Sequence, residues 1–532
     1  MTALPMRVLF VYPNIDCPPG INHGIAAMSG VLKARGHDVG LIHVCDNLWE
    51  LPTTEQVLDR IDAFKADVVG FSVMSQQYPW VKGISKALRA RRPGMPQAIG
   101  GVHCTMVPEE VTADDLFEWV FVGECDGAFP DLVDRIAAGG NRHDIPNTRI
   151  PKRFSPTGEV IRNPVGAFPD LAALPETDYE LFDIKHIVET KNGWMGLITS
   201  RGCPYKCTYC FNKEIVDLYK EEGGAKSMKE YLRAYPTERM IEEIRTLKKN
   251  HPGIRTLIID DDLFTLNKKY VMEFTKAYKA SGIGIPYVVN AHVNCFDDAM
   301  GKALSESGCI IVKYGLESGS ERVRRDVLWR YMTNEQIENT TAIAHQYGLH
   351  TSAFIMFGLP NETREEVYET LRLCAKVKMG RFRWAIFYPF PGTAGYTIAK
   401  DLGVIDWDKW ANMGNYFDAS CLKFGPEQDL FIEKLGSLCT WYVNALTDWP
   451  CAKTYAKMVE EVEAMDRDTF RRRRAELIQR DRDLSEELLK LNIPHYSIRY
   501  AHVMGVRSDY VAWERRQQQS TREEQAVVYT LD

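Results

Sequence analysis

No stretch of the chain reaches the roughly eighteen consecutive apolar residues that a membrane-spanning helix needs, so no membrane span is expected. The opening residues, MTALPMRVLFVYPN, lack a long apolar segment of the secretory kind and run into a strand-like stretch. No signal peptide and a cytoplasmic location are the expectation. A basic excess is missing too: against 65 Lys and Arg stand 72 Asp and Glu, a net charge of −7, which offers no electrostatic footprint for nucleic acid. Cysteine is not scarce, but paired cysteine spacing is. Ten of the thirteen, at positions 17, 45, 104, 125, 295, 309, 374, 421, 439 and 451, are scattered. They read as reduced, mostly buried thiols, although spacing alone leaves a second cluster open. At 532 residues the chain has room for about three domains with sizeable cores.

The remaining three, Cys203, Cys207 and Cys210, fall in SRGCPYKCTYCFN at C-x3-C-x2-C spacing. A tight run of thiolates is what holds an iron–sulfur cluster, and three ligands leave one iron of a [4Fe-4S] cubane open to a small molecule. Gly202 and Pro204 suit a loop folded closely around a cluster. A zinc knuckle or three unrelated thiols are the alternatives, but a zinc site normally shows a second ligand pair at a readable spacing. The loop resembles the radical S-adenosylmethionine (SAM) superfamily. That resemblance implies a cluster whose open iron chelates SAM, and an electron that cleaves SAM to methionine and a 5′-deoxyadenosyl radical. It also implies an electron donor such as flavodoxin or ferredoxin.

In the first 145 residues short apolar strands (6–12, 38–44, 67–73, 97–99, 119–122) alternate with helix-like segments (24–35, 57–64, and one ending at 91). Thr53 and Gln56 form a capping box before the second. This alternation predicts a doubly wound, Rossmann-like parallel sheet with its ligand beyond the carboxyl ends of the strands. Those ends carry Pro13 and Asn14, Ser72 to Gln76, Gly100-Gly101-Val102-His103, and Gly123-Glu124. They can be ordinary strand-to-helix turns. Ahead of a radical SAM loop, though, the segment resembles a cobalamin-binding domain, and Pro13, Asn14, Ser72, Gln76, Gly100, Gly101, His103, Gly123 and Glu124 become candidate cobalamin contacts. Many such domains carry D-x-H-x-x-G after the first strand, whose histidine ligates cobalt. Here the segment is Asp16-Cys17-Pro18-Pro19-Gly20-Ile21, with His23 out of register. No histidine ligand to cobalt is therefore expected, and His103 is expected to hydrogen-bond the corrin or its tail.

Residues 146–190 are Pro-rich and read as a linker. From 191 to 400, six strand–helix units (strands near 195–200, 256–259, 287–289, 310–314, 352–357 and 382–387) predict a partial (β/α)6 barrel whose active residues sit at the carboxyl ends. The resemblance implies SAM contacts from Asp260 and Asp261 (or else a helix N-cap cluster), from Asn290 and His292, and from Glu317 and Ser318 in the motif GLESGS. It also implies that Tyr209, Gly358 and Leu359 lie near the adenine. The turn 388–393 resembles a PxPGT element of the cobalamin-containing subgroup. Residues 401–532 read as a mainly helical domain in which Trp407, Trp410 and Tyr416 wall the substrate pocket. Cys421 is either a buried thiol or a hydrogen donor, and Arg471 to Arg474 belong to a salt-bridged helix.

The resulting expectation is an α/β enzyme acting on a small-molecule substrate: a cobalamin-dependent radical SAM methyltransferase of an unactivated carbon. A non-methylating cyclase-like enzyme and a cobalamin sensor or carrier stay open.

Overall fold

The structure, a computed structural model, describes residues 4–412, 419–501 and 505–510. The chain forms two compact units. The first comprises Met1–Tyr205, Cys210–Ile254 and Pro391–Thr393; the second comprises Lys206–Tyr209, Arg255–Phe390 and Ala394–Asp532.

In the first unit β1 (Arg7–Pro13), β2 (Asp38–Val44), β3 (Val68–Ser72), β4 (Gln97–Gly100) and β5 (Trp119–Phe121) alternate with helices, among them His23–Ala34, Thr54–Phe64 and Tyr78–Arg91. The strands pair in parallel in the order β2-β1-β3-β4-β5. That is a doubly wound sheet whose strand order reverses between β1 and β3, where such sheets bind ligands. Near-continuous apolar strands are what a sheet covered on both faces requires: Val8, Leu9, Phe10 and Val11 are buried, as are Val69 and Phe71. The expected capping box at Thr53 and Gln56 opens its helix.

The stretch read as an irregular linker differs from expectation. Within it β6 (Thr148–Ile150) and β7 (Ile161–Arg162) add antiparallel to the edge at β5. Their main-chain groups pair the exposed edge of β5, which would otherwise be left open. Two- and three-residue strands carry too little periodicity to be read among prolines. Further along lie β8 (Trp194–Leu197) and a small antiparallel pair, β9 (Ser200–Arg201) with β10 (Arg233–Ala234). The helix Thr237–Asn250 buries Met240, Ile241, Ile244 and Leu247, the apolar face its 3.6-residue spacing predicts.

In the second unit β11 (Thr256–Ile259), β12 (Tyr287–Ala291), β13 (Cys309–Glu317), β14 (His350–Phe357) and β15 (Arg381–Ile386) pair in parallel in chain order. Helices Lys268–Ser281, Asp298–Ser307, Asn334–Gln346 and Arg364–Lys376 make the crossovers, the last two opened by capping boxes at Thr333/Gln336 and Thr363/Glu366. Helices Pro426–Ala445, Ala452–Glu463 and Arg467–Lys490 follow, and the last is laced by Arg471–Glu433 and Arg473–Glu461 ion pairs. An unforeseen hairpin, β16 (Tyr496–Ala501) and β17 (Gly505–Tyr510), extends the sheet antiparallel at β15. Tyr416 lies outside the described residues.

Candidate functional site

The middle of the cysteine loop, Lys206–Tyr209, belongs to the second unit. Thr208 anchors it there: its amide donates to Leu328 O at 3.1 Å and its hydroxyl to Val327 O at 2.8 Å. That leaves Cys207 and Tyr209 beside the end of β13. The Tyr209 hydroxyl donates to Glu317 Oε1 at 2.8 Å. Glu317 is buried and has a left-handed backbone, φ 63°, an uncommon conformation for this residue that surrounding structure must impose. Burial raises its carboxyl pKa against the opposing pull of Arg330 and Tyr209.

Arg330, not singled out in the sequence, completes the group. Its Nη1 donates to Cys207 Sγ at 3.2 Å and to Tyr209 Oη at 3.3 Å, and Nη2 donates to Gly315 O at 2.7 Å. Burial alone would lower its pKa; Tyr209, Cys207 and Glu317 outweigh that and raise it, so the guanidinium is held charged. The backbone leading to it is unusual: a π-turn at Val323–Val327, then Trp329 at φ 53°. Arg324, wholly buried, braces this turn by donating to Ser318 O, Met332 O and Asn334 Oδ1. The only sequence signal for Arg330 was a cation inside an apolar stretch, VLWRYM.

Elsewhere in this unit Asn290 Nδ2 donates to Asp261 O at 2.8 Å, and Asp260 lies 3.7 Å from Lys313 Nζ. Asp261 is buried. His292 caps a short turn by accepting from the Asn294 amide, and burial, then Arg330, pulls its pKa down to about 3. Ser318 turns into the protein, within 3.4 Å of Thr370 Oγ1, and Gly319 packs on the backbone of Thr370. At the end of β14 the Gly358 and Leu359 amides both donate to Glu362 Oε2, at 2.8 and 3.2 Å. Glu362 is buried, which pushes its carboxyl up to about 8, and its Oε1 has no partner. Tyr388 stacks on Trp410 with ring centroids 5.9 Å apart, and the exposed Trp407 meets Trp410 edge-on. Cys421 is buried in the adjoining apolar cluster, where burial pushes its thiol up to about 12.

In the first unit Cys203 and Cys210 are half-buried. Asn212 Nδ2 lies 3.5 Å from Cys210 Sγ, and Gly202, at φ 98°, packs on the Tyr231 carbonyl where a side chain would not fit. Among the described residues no three His, Cys, Asp or Glu side chains gather to hold a single metal ion. At the sheet's ligand end Asn14 donates to Pro18 O and Cys45 Sγ, Ser72 accepts from Asn22, and Pro13 closes β1. Gly101 is at φ 100°, and a β-carbon there would lie 2.6 Å from Val73 N and O, so only glycine packs against that backbone. Gly100 has only ordinary contact with Phe121. Gln76 is exposed; its neighbour Gln77 is the buried one, donating to Ile15 O and leaving its Oε1 without a partner. His103 Nδ1 meets Ser75 Oγ at 3.1 Å, and Nε2 has no partner; burial holds the ring neutral, with a pKa near 4. Gly123 and Glu124 do not stand open. Glu124 pairs with Arg201 at 2.8 Å and with Arg233, and Arg201 also pairs with buried Asp126 at 2.8 Å.

The residues present fit the implied cofactors. Cys203, Cys207 and Cys210 stand in no disulfide, and the buried Arg330 donates to the sulfur of Cys207. Arg330 Nε and Glu362 Oε1, a buried donor and a buried acceptor, have no protein partner. Such groups are what a zwitterionic nucleoside derivative would satisfy. In the first unit His103 Nε2 and Gln77 Oε1 are likewise buried without a protein partner.

Residues 197–374 match the Radical SAM superfamily and residues 18–133 the B12 binding domain. The chain is 27% identical over 420 residues to an uncharacterised methyltransferase of Pyrococcus horikoshii, spanning 77% of this chain and 87% of that one. It is 24% identical over 426 residues to the anaerobic magnesium-protoporphyrin IX monomethyl ester cyclase of Rubrivivax gelatinosus, spanning 76% and 72%. The radical SAM methyltransferase TsrM from Kitasatospora setae, with cobalamin and a [4Fe-4S] cluster bound, aligns with a TM-score of 0.61 at 16% identity over 76% of each chain. The cobalamin-dependent enzyme OxsB, with aqua-cobalamin and SAM bound, aligns at 0.59 with 15% identity over 97% of this chain and 66% of that one. At such identities the likeness is one of fold, and the fold class is the expected one: a B12-binding sheet, a half-barrel of parallel strands and a largely helical carboxyl-terminal region. No helix among the described residues is long and apolar enough to cross a membrane. The chain, a B12-binding domain followed by a radical SAM domain, is thus a cobalamin-dependent radical SAM enzyme whose cofactors are a [4Fe-4S] cluster, SAM and cobalamin.

Proposed function

We propose that this enzyme is a methyltransferase that methylates an unactivated carbon, or a similar centre, of a small-molecule substrate. Residues 1–145 would hold cobalamin, 146–190 connect, 191–400 hold the cluster and SAM, and 401–532 shape the substrate wall with Trp407 and Trp410. When bound, the cluster supplies the electron for homolysis of SAM, and cobalamin supplies the methyl group. A carbon without an acidic proton gives general base catalysis nothing to act on, which is why such a pairing is needed.

The chain's own contribution is position and charge. Cys203, Cys207 and Cys210 ligate the cluster, with Arg330 held against Cys207 Sγ at 3.2 Å. Tyr209 and Glu317, joined at 2.8 Å, orient SAM beside it. Asp260, Asp261, Asn290, His292, Ser318, Gly358 and Leu359 line the neighbouring strand ends. Pro13, Asn14, Ser72, Gln76, Gly100, Gly101, His103, Gly123 and Glu124 would hold cobalamin. No histidine would ligate cobalt from the loop after β1, because that loop carries none. An electron donor such as a flavodoxin or ferredoxin supplies the electrons.

The observation that carries the reading is the three-cysteine loop beside a buried cation, in a chain that also has a B12-binding domain. Support for methylation comes from relatives named as methyltransferases, including the cytidylyl-2-hydroxyethylphosphonate enzyme of Streptomyces wedmorensis. The test is turnover with SAM deuterated at its methyl group. Label in the product with S-adenosylhomocysteine is expected; 5′-deoxyadenosine with unlabelled product would establish the alternative reading, a cyclase-like enzyme, which the relative in Rubrivivax gelatinosus favours. If reduced, reconstituted protein cleaves no SAM, a cobalamin carrier takes its place.

A further inference from the structure

We propose that Arg330 is a positioning residue that sets the reduction potential of the cluster, through the N–H···S hydrogen bond it donates to Cys207. The inference rests on Cys207 being a cluster ligand. A guanidinium taken out of water carries a large desolvation cost, recovered only by well-placed anionic or acceptor partners. Arg330 is 7% exposed, and its partners are the Cys207 sulfur, the Tyr209 hydroxyl and the Gly315 carbonyl.

The surrounding chain over-determines that placement. The π-turn at Val323–Val327 and the left-handed Trp329 (φ 53°) re-aim the segment, and the wholly buried Arg324 pins it to Ser318 O and Met332 O. Strain at a residue such as Trp329 persists only when packing enforces it, and π-turns recur at functional positions.

Hydrogen bonds to ligand sulfurs, together with net charge, tune the potential of iron–sulfur clusters. A cation and a donated proton beside Cys207 stabilise the more negative, reduced cluster, and in a poorly screened interior that effect is large. Glu317 acts in the opposite sense, damped by the hydroxyl of Tyr209 that bonds it at 2.8 Å. The two side chains therefore form a matched pair with opposite expected effects.

The test is a mediated redox titration of anaerobically reconstituted full-length protein, following the EPR signal of the reduced cluster. At the wild-type midpoint, Arg330→Met should lower the ratio of reduced to oxidised cluster at least tenfold, about 59 mV for one electron. Glu317→Gln should raise it, and Arg330→Lys should fall between wild type and Arg330→Met. Pulsed EPR should detect an exchangeable proton near the cluster that Arg330→Met removes. Iron and sulfide content of the wild type is measured first; no cluster there sinks the assignment of Cys207 itself. With the cluster loaded, an unchanged midpoint in Arg330→Met, or a fall in both variants, overturns the role of Arg330 and leaves the ligand assignment standing. If Arg330→Met does not fold or load, Arg330→Lys and Glu317→Gln carry the test with the same signs.

Discussion

A β-carbon on Gly123 would lie 2.6 Å from the ring and hydroxyl of Tyr219. Gly123 also sits at φ 72°, so its missing side chain is required twice over. Tyr219, stacked on Phe168 at 3.7 Å between centroids, accepts from the Glu124 amide at 2.8 Å and from Asn147 Nδ2 at 3.2 Å. The turn read as a ligand contact is thus also an internal joint. Gly123→Ala should destabilise the protein by about 2 kcal/mol or more. Tyr219→Phe should cost about 1–3 kcal/mol, because the Glu124 amide loses its acceptor and Asn147 Nδ2 keeps only its bond to Val122 O. Denaturant midpoints measure both, and a wild-type midpoint for Gly123→Ala refutes the joint.

Arg201 stands two residues before Cys203 and bonds Glu124 and Asp126, each at 2.8 Å. Burial would raise the Asp126 pKa, but Arg201 outweighs it and holds the carboxyl below its ordinary value of 3.8. The pair therefore stabilises the fold above that value, and its contribution fades as pH falls through the lower, folded-state value. Arg201→Ala should cost about 3–5 kcal/mol because it leaves the Asp126 carboxylate buried without its ion pair, although Glu124 keeps Arg233. Arg201→Met with Asp126→Asn should recover part of that loss in the same unfolding assay. A double variant no better than the single one contradicts this account.

His43 and His103 are both buried, and burial lowers each from 6.5 to about 4. Their depressed folded values mean the unfolded chain binds protons first on acidification. Stability is therefore full above about pH 6.5 and declines towards pH 4, by up to about 3 kcal/mol for each ring. His103→Gln should flatten the melting temperature against pH across that window. An equally steep profile in the variant would count against a neutral, buried His103.

A β-carbon at Gly315 would collide with the Glu317 carboxylate and lie 3.1 Å from Arg330 Nη2. Gly315→Ala should therefore displace the carboxylate from Tyr209 and weaken SAM binding at least tenfold. Equilibrium dialysis of SAM against reconstituted protein reads the loss; wild-type affinity would show that Glu317 does not orient SAM.

Local chemistry made much of this molecule legible. Spacing marked the three cysteines as candidate cluster ligands, because thiolates close together in one loop can reach a shared cluster. Hydrophobic period and capping boxes placed both runs of alternating strands and helices, because each element must bury its own apolar face. Other features were decided only when distant segments met. β6 and β7 exist because the edge of β5 needs partners, and the hairpin of β16 and β17 because β15 does. Gly101 leaves no space for a β-carbon against the backbone of Val73, and Gly123 none against the ring of Tyr219, constraints set by residues distant in the chain. Glu124 was read as a contact and is held by Arg201 and Arg233, from segments far along the chain. Arg330 shows the division most clearly. Its own neighbourhood offers no more than a cation in an apolar stretch, since an arginine's function is set by which groups surround it, and Cys207 and Glu317 reach it only through the fold.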